Sequence, residues 1–268
     1  MKLVDIGANL THKSFEPDFD RVVGDAIAAG LAHIILTGTD LPTSKAALTL
    51  SENRPDLFSS TVGFHPHIAQ SVSTAHMSAA IELAGQAQVV AIGETGLDFN
   101  RNYSPPDRQF ALFERHLELA VELQKPVFLH QRDAHEALHD LLRRYRPRLS
   151  GGVIHCFTDC EAALMDYLEL DMHIGITGWI CDERRGELLQ SLVSKIPADR
   201  LLIETDAPYL LPRSLQPKPR SRRNEPKHLV EVLNTVARHR HEDAQILASQ
   251  TTENAMRLFG LDDKVVHC

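Results

Sequence analysis

Short runs of β-forming residues alternate with longer segments of helical period along this 268-residue chain. The runs at 89–92 (VVAI) and 126–129 (PVFL) are almost continuously apolar, which is typical of parallel strands buried on both faces. We predict eight strands, at residues 3–6, 33–37, 59–63, 89–93, 127–130, 153–156, 172–176 and 201–205. Because the strand–helix unit repeats eight times in about one barrel's length of chain, the pattern predicts an α/β fold of the (β/α)₈, or TIM-barrel, type.

The segments between these strands are predicted to be helices. The first includes Val22, Val23 and Ala26, Pro42 is expected at the first position of the second, and a long amphipathic helix covers about 107–123. An open doubly wound sheet would more often carry a Gly-rich fingerprint after its first strand, and residues 7–9 (GAN) do not match one. The Pro-rich segment 208–226 is predicted to be a functional loop rather than a linker, so residues 1–268 are predicted to form a single domain.

The composition limits how the chain can contact a polyanion. Its net charge is -8, so nucleic acid would have to be bound through a local basic patch or through metal. The pattern of a signal peptide or a membrane span does not occur, and four unevenly spaced cysteines do not suggest a disulfide framework. We therefore predict a cytoplasmic protein that does not contact a membrane. No obligate protein partner is evident from the sequence, and a monomer is expected.

Titratable side chains follow five of the predicted strands. They lie in the segments GFHPH (63–67) and GETGLD (93–98), at His130 and His155, and in ETDAP (204–208). In a βα barrel the strands' carboxyl ends meet at one rim, where the active site is expected. Because so many buried titratable groups need a counter-charge, the sequence predicts a divalent cation at this rim, and mixed imidazole and carboxylate ligands suit zinc, manganese or magnesium.

These motifs carry a resemblance to a known family. The segments VGFHPH (62–67), IGETGLD (92–98), HCFT (155–158) and ETDAPY (204–209) resemble the signature stretches of the TatD family of metal-dependent deoxyribonucleases. The segments DIGANLT (5–11) and GWICDERRG (178–186) are similar to the TatD subgroup proper, and the likeness runs from residue 5 to about 259. The resemblance implies a TIM barrel of the metal-dependent hydrolase type.

The resemblance also implies residue roles. Glu94, His130, His155 and Asp206 would be the metal ligands, and His65 would lie beside the substrate. The implied activity is that of an Mg²⁺-dependent 3′–5′ exonuclease on single-stranded DNA, with RNA as a further possible substrate and a role in DNA repair or turnover. Mn²⁺ and Zn²⁺ are alternative metals. The direction of digestion follows from the resemblance alone.

The first strand departs from the family pattern. Many relatives begin with Asp-x-His-x-His, whose two histidines hold a metal, whereas Gly7 and Asn9 occupy those places here. Two alternatives stay open: one tightly bound metal, or a second that is held weakly by carboxylates and substrate phosphate.

A basic stretch favours a phosphate-containing substrate. Between Asp206 and Glu225 the chain has five cations and no acidic residue; the cations are Arg213, Lys218, Arg220, Arg222 and Arg223. Because guanidinium groups suit phosphate oxygens, we predict that the four arginines bind the substrate together with His65 and His67. The alternative is a solvated loop without a binding role.

These residues predict hydrolysis of a phosphodiester. Glu94 would belong to both the metal site and the catalytic group, Asp206 would orient or deprotonate the attacking water, and His65 would stabilise developing charge or protonate the leaving oxygen. The main rival is an amide, lactone or small phosphoester hydrolase on the same metal barrel. A catalytically silent barrel that serves as a binding partner is a third alternative.

One further motif is interpreted as a chance match. Residues 135–139 (HEALH) fit the H-E-x-x-H pattern of zinc proteases. They follow the fifth predicted strand and lack the extended downstream histidine of the larger motif, so they are predicted to belong to an outer helix that binds no metal.

Overall fold

The computed structural model describes residues 2–261, and the remaining residues of the predicted single domain, 1 and 262–268, lie outside the described part. Eight strands form one parallel sheet in the order of the chain. They are β1 (Leu3–Ala8), β2 (Leu31–Leu36), β3 (Phe58–Val62), β4 (Val89–Asp98), β5 (Val127–Arg132), β6 (Gly152–Ile154), β7 (His173–Ile176) and β8 (Leu201–Ile203). All eight predicted strands are present, and the (β/α)₈ barrel is confirmed.

Helices connect the strands on the outside of the barrel. They are α1 (Phe19–Ala28), α2 (Leu41–Asn53), α3 (Thr74–Ala84), α4 (Pro106–Leu123), α5 (His135–Tyr145), α6 (Glu161–Glu169), α7 (Glu187–Leu192), α8 (Leu229–Arg240) and α9 (Ala244–Phe259). In α2, Leu41 takes the first position, so Pro42 is one residue further in than predicted, and the Asp40 carboxylate caps the helix at Thr43 N. Within residues 2–261, no helix is both long and apolar enough to cross a membrane.

The barrel closes between β1 and the segment that follows β8. Asp206 N–H donates to Gly7 O (2.8 Å), and Asn9 N–H donates to Ala207 O (2.7 Å). The buried Asp5 carboxylate accepts from both the backbone N–H (2.9 Å) and the hydroxyl (2.5 Å) of Thr205. Burial raises the pKa of Asp5 to about 7, while these hydrogen bonds act in the opposite direction. The first and last strands are thus joined beside the rim at which Asp206 lies.

Two apolar clusters pack against the strands, one outside the barrel and one inside it. The larger lies between the sheet and the helices. The smaller brings together side chains from six strands, and strands on opposite sides of a barrel can touch only in its interior; its members include Val4, Ile35, Val90, Phe128, Val153 and Leu202. Ala255 and Phe259 of α9 join this inner cluster. The interior of the barrel is therefore filled by apolar side chains, and the active site is expected at the rim.

Each of the eight strands differs from the prediction at one boundary or both, and the differences at β4 and β8 affect the rim. β4 continues to Asp98, five residues beyond the predicted end, since Gly93 and Gly96 keep it close to β5. Gly93 has φ +152°, and a Cβ there would lie 2.2 Å from Phe128 O. β8 ends at Ile203, two residues early, so Glu204 and Asp206 lie in the connection beyond it.

Candidate metal centre and active site

Three histidines converge on one carboxylate oxygen at the rim. Glu94 Oε1 lies 3.0 Å from His155 Nε2, 3.1 Å from His130 Nδ1 and 3.3 Å from His65 Nε2. The ligand atoms of His65, Glu94 and His130 all lie within 4.8 Å of one another, so these three residues can hold a metal ion. The structure thus brings together three of the four predicted ligands, and His65, which is predicted to contact the substrate, lies beside them.

Four different strands position these side chains. Glu94 lies within β4, where the close approach of Gly93 to Phe128 fixes the backbone. His130 lies in β5, His155 follows β6, and His65 follows β3 at the start of a 3₁₀ turn, where its Nδ1 accepts from His67 N–H (3.2 Å). Because the carboxyl ends of parallel strands lie at one rim, the barrel itself brings together residues that are far apart in the sequence.

Opposite charges hold the cluster together. Burial alone would raise the pKa of Glu94, but the charges of His155 and His65 and hydrogen bonds from His130 and His155 keep it well below its ordinary value. Burial likewise opposes the charged form of His155, yet Glu94 and Glu204 raise its pKa well above the usual range. The pKa of His65 is lowered, with burial as the main cause. Of these imidazoles, His155 and His130 have a raised pKa, so they are the ones that place positive charge beside Glu94.

Asp98 links two of the site histidines. Its Oδ2 lies 2.8 Å from His67 Nε2 and 3.2 Å from His130 Nε2, while its Oδ1 accepts from the backbone N–H groups of Asn100 and Arg101. A carboxylate on the far nitrogen of a histidine fixes the orientation of the ring toward its ligand. Asp98 belongs to a strand-end motif, but no role is predicted for it from the sequence. Its position four residues after Glu94, on the same face of an extended strand, is the signal that could have identified it.

Glu204 has a similar relation to His155. Its Oε1 accepts from Cys156 N–H (2.6 Å), and its Oε2 lies 3.4 Å from His155 Nδ1. Glu204 Oε2 and His155 Nδ1 are both buried, and neither has a hydrogen-bond partner of suitable geometry among the described residues. Two glycines pack against the Glu204 carboxylate. A Cβ on Gly7 would lie 2.5 Å from Oε2, and a Cβ on Gly175 would lie 2.6 Å from Oε1, so neither position has room for a side chain. Glu204 likewise belongs to a strand-end motif without a role predicted for it from the sequence.

Asp206 lies next to the cluster and is bound by Asn9. Asn9 Nδ2 donates to Asp206 Oδ1 at 2.9 Å. Burial raises the pKa of Asp206 to about 8; the charge of His155 opposes this shift, and the charges of Glu94 and Glu204 add to it. Asp206 has φ +52°, a left-handed conformation that is uncommon for a residue with a side chain and is often found at functional sites.

The donor set fits a divalent cation. Imidazole nitrogens and carboxylate oxygens converge from separate strands, and the orphaned His155 Nδ1 and Glu204 Oε2 are buried behind them. The first strand adds no further histidine, because the space beside Gly7 is filled by Glu204 and by Phe128, whose Cζ would lie 2.9 Å from an added Cβ. Asn9 is already engaged by Asp206. This centre is therefore built from β3 to β6 and the connection after β8.

Two of the four arginines in the basic loop are paired with carboxylates. Arg223 is bound by Asp18 and Glu225, and Arg213 by Glu183, so the acids missing from the loop itself are supplied by other elements. These two guanidinium groups therefore have a structural role in this conformation. Arg220 and Arg222 are exposed, and neither has an ion-pair partner in the part of the chain that the structure describes. A cavity of about 510 Å³ within the loop is lined by Arg213, Lys218 and Arg222 and by none of the rim cluster.

The HEALH segment lies away from this centre. His135 and His139 are on the outer helix α5, with ring centroids 5.7 Å apart. His135 Nε2 contacts Asp166 of α6 (2.8 Å), and its ring packs edge-on against Tyr167. Among the described residues, the group of three or more ligands that could hold a metal is that of Glu94, and the predicted placement of HEALH on an outer helix is confirmed.

Comparisons with known proteins agree with the resemblance to the TatD family. The profile of the family described as TatD related DNase matches residues 4–260. The chain is 51% identical to "3'-5' ssDNA/RNA exonuclease TatD" of Klebsiella pneumoniae (strain 342), over 97% of this chain and 98% of the relative. It is 50% identical to the protein of the same name from Salmonella typhimurium (strain LT2), over 96% of this chain and 98% of the relative.

Solved structures of TatD homologues superimpose on nearly the whole chain. A hydrolase TatD family protein from Entamoeba histolytica has a TM-score of 0.88 at 26% identity and covers 96% of this chain and 97% of its own. A TatD homologue from Escherichia coli K12 has a TM-score of 0.86 at 29% identity, with 96% and 98% covered. From the match over residues 4–260 and the identity to full-length relatives, this chain belongs to the TatD-related DNase family.

Proposed function

We propose that this protein is a metal-dependent 3′–5′ exonuclease that hydrolyses the phosphodiester bonds of single-stranded DNA and RNA. The observation that carries the proposal is the convergence of three imidazoles from separate strands on Glu94 Oε1 at the rim of the barrel. The relatives that are about 50% identical over the full length are named for this activity and give its direction. We further propose that Mg²⁺ is the metal and that the protein acts as a monomer.

Each site residue has a role that its surroundings support. Glu94, His130 and His155 hold the metal, with Asp98 and Glu204 orienting the two rings from behind. A bound divalent cation supplies positive charge for the phosphoryl oxygens and activates water. Asp206, which Asn9 holds in place beside the cluster, completes the metal site and orients the attacking water.

The substrate side is formed by residues with exposed surface. His67 is 30% exposed and lies next to His65, with ring centroids 4.1 Å apart, so we assign both to contacts with the nucleotide at the cleavage point. Arg220 and Arg222 have no carboxylate partner among residues 2–261 and follow Asp206 in the same loop. They are the proposed contacts to the phosphates of the strand, while Arg213 and Arg223 keep the loop in place.

The test is digestion of 5′-end-labelled single-stranded DNA and RNA by metal-stripped protein, with Mg²⁺, Mn²⁺ or Zn²⁺ added back. A ladder that shortens from the 3′ end, strongest with Mg²⁺, is expected. Asp206→Asn should lower turnover by about 10²- to 10⁴-fold, the usual contribution of a positioned acid–base group, while the circular dichroism spectrum stays unchanged. Near-normal turnover by this variant would remove Asp206 from the mechanism, and failure of folded protein to cleave with any metal would contradict the nuclease assignment.

A further inference from the structure

The aromatic residues of this chain are distributed unevenly between the core and the surface. Of the phenylalanine, tyrosine and tryptophan side chains in residues 2–261, only Tyr103 (62%) and Tyr209 (53%) are classed as exposed. The other large exposed apolar side chains are aliphatic and lie singly on outer helices; they are Ile27, Ile81, Met165, Leu188 and Ile246. Scattered aliphatic residues are normal at a protein surface, whereas both exposed aromatic residues lie at the rim that carries the metal centre.

Tyr103 lies beside the site histidines. It belongs to the connection between β4 and α4, and its ring centroid is 4.8 Å from that of His67. The His67 ring in turn lies 4.1 Å from His65, whose ring is 4.4 Å from His130. One imidazole therefore separates the exposed phenol from the residues that can hold the metal.

Tyr209 lies on the other side of the centre. It comes three residues after Asp206, and its backbone N–H donates to Asp206 O (2.9 Å). Its ring packs edge-on toward that of His12, which follows β1, with the ring centroids 6.1 Å apart. In a barrel of eight strands in chain order, the ends of β4 and β8 are diametrically opposed. The two exposed rings thus flank the metal centre from opposite sides.

We propose that Tyr103 and Tyr209 are base-stacking residues that bind the nucleobases on either side of the scissile phosphate. The proposal rests on the exonuclease function given above and names how its substrate is recognised. Tyrosine rings stack on any base, because every base has a π-face, and they can do so only when the base is unpaired. This arrangement therefore provides preference for single strands without sequence specificity.

The charges on the two sides give the strand a direction. The loop that carries Arg220 and Arg222 begins just beyond Tyr209, and the long uncleaved part of the substrate has the greater number of phosphates. Tyr209 accordingly stacks on the penultimate base, which stays on the strand, and Tyr103 stacks on the 3′-terminal base, which is released.

The test is a double-mutant cycle between each tyrosine and an abasic site in the substrate. Tyr103→Ala and Tyr209→Ala are compared with wild-type protein on an intact 12-nucleotide strand and on strands whose terminal or penultimate nucleotide lacks its base. Each variant should raise KM on the intact strand by about 5- to 100-fold, the usual loss for one stacked base, with a much smaller change in kcat. Tyr103→Ala should cause no further loss when the terminal base is absent, and Tyr209→Ala none when the penultimate base is absent.

Matched variants separate stacking from structural effects. Tyr103→Phe and Tyr209→Phe keep the ring and should therefore retain the coupling to the same bases, whereas Ile246→Ala, which removes an exposed side chain of the outer helix α9, should have no effect. Equal losses on intact and abasic strands, or unchanged KM in both alanine variants, would overturn the stacking proposal. Coupling to the opposite bases would overturn the assigned strand direction. If wild-type protein cleaves no strand with any metal, the nuclease function itself fails, and this inference with it.

Discussion

Two groups of histidines in this protein both match metal-binding patterns in the sequence, but their surroundings in the structure differ. His65, His130 and His155 come from three separate strand ends and meet at one oxygen of Glu94. His135 and His139 lie on one turn of α5 and have a recognised zinc-binding spacing, but His135 contacts Asp166 on the neighbouring helix instead. Spacing on one helix only places two rings on the same face. A metal centre also needs convergent donors and a buried carboxylate, and only the rim group has both.

The largest effect should come from the residue at which the rim histidines meet. Glu94→Gln removes the negative charge shared by three imidazoles, so we expect metal affinity to fall by more than about 100-fold and nuclease activity to reach background. Metal content after dialysis and cleavage of a labelled strand measure the two effects. Glu82→Gln, which changes an exposed glutamate on the outer helix α3, is the matched control and should retain both. Full metal binding by Glu94→Gln would mean that the convergence has no role in ligation.

A smaller effect is expected at Glu204, which faces His155 from the side opposite Glu94. Glu204→Gln keeps the size of the side chain but removes the charge that faces His155 Nδ1. Loss of such an outer carboxylate usually lowers metal affinity by about 10- to 100-fold. Isothermal titration with Mn²⁺ measures this independently of turnover. An unchanged affinity in a folded variant would show that His155 does not depend on Glu204 for its orientation.

A buried histidine without a carboxylate should respond to pH in a different way. His116 of α4 accepts from Phe64 N–H at Nε2 and contacts Leu112 O through Nδ1, and burial lowers its pKa to about 4. The folded state therefore disfavours the proton that the unfolded chain binds below about pH 6.5. The stabilising contribution of neutral His116 is fully present above that pH and is lost as pH falls toward 4.

This dependence can be measured by chemical denaturation. At pH 5 the contribution of His116 to the free energy of unfolding should have fallen by about 2 kcal/mol relative to pH 7, from the pKa difference at 1.36 kcal/mol per unit. His116→Gln, which can still accept from Phe64 N–H, should show a correspondingly weaker pH dependence over this range. Identical slopes in the two proteins would contradict the assignment of a neutral, acceptor-bearing ring.

No effect on metal is expected at the helical pair. His135→Ala combined with His139→Ala removes the HEALH histidines while leaving every residue of the rim unchanged. Metal content and cleavage rate should equal those of wild-type protein. Loss of bound metal from this double variant would reverse the comparison and make the outer helix a metal site.

The sequence was sufficient for the barrel and for most of the centre. Near-continuous apolar strands that alternate with amphipathic helices specify βα units, and parallel strands in a barrel bring their carboxyl ends to one rim whatever the loops do. Glu94, His130 and His155 were therefore predictable as neighbours although 61 residues separate the first from the last. The end of β4 was less predictable, because the extension to Asp98 depends on the passage of Gly93 and Gly96 along β5.

Only the tertiary structure decided which charges are paired with which. The sequence shows an uninterrupted basic stretch, but the fold brings Asp18 and Glu225 to Arg223 and Glu183 to Arg213, which leaves Arg220 and Arg222 as the unpaired arginines among these four within residues 2–261. In the same way, Glu204 and Asp98 acquire roles only when His155 and His130 are packed against them. Hydrophobic period is a local property that a chain carries in its sequence, whereas electrostatic pairing acts over a few ångströms in space and depends on contacts between distant segments.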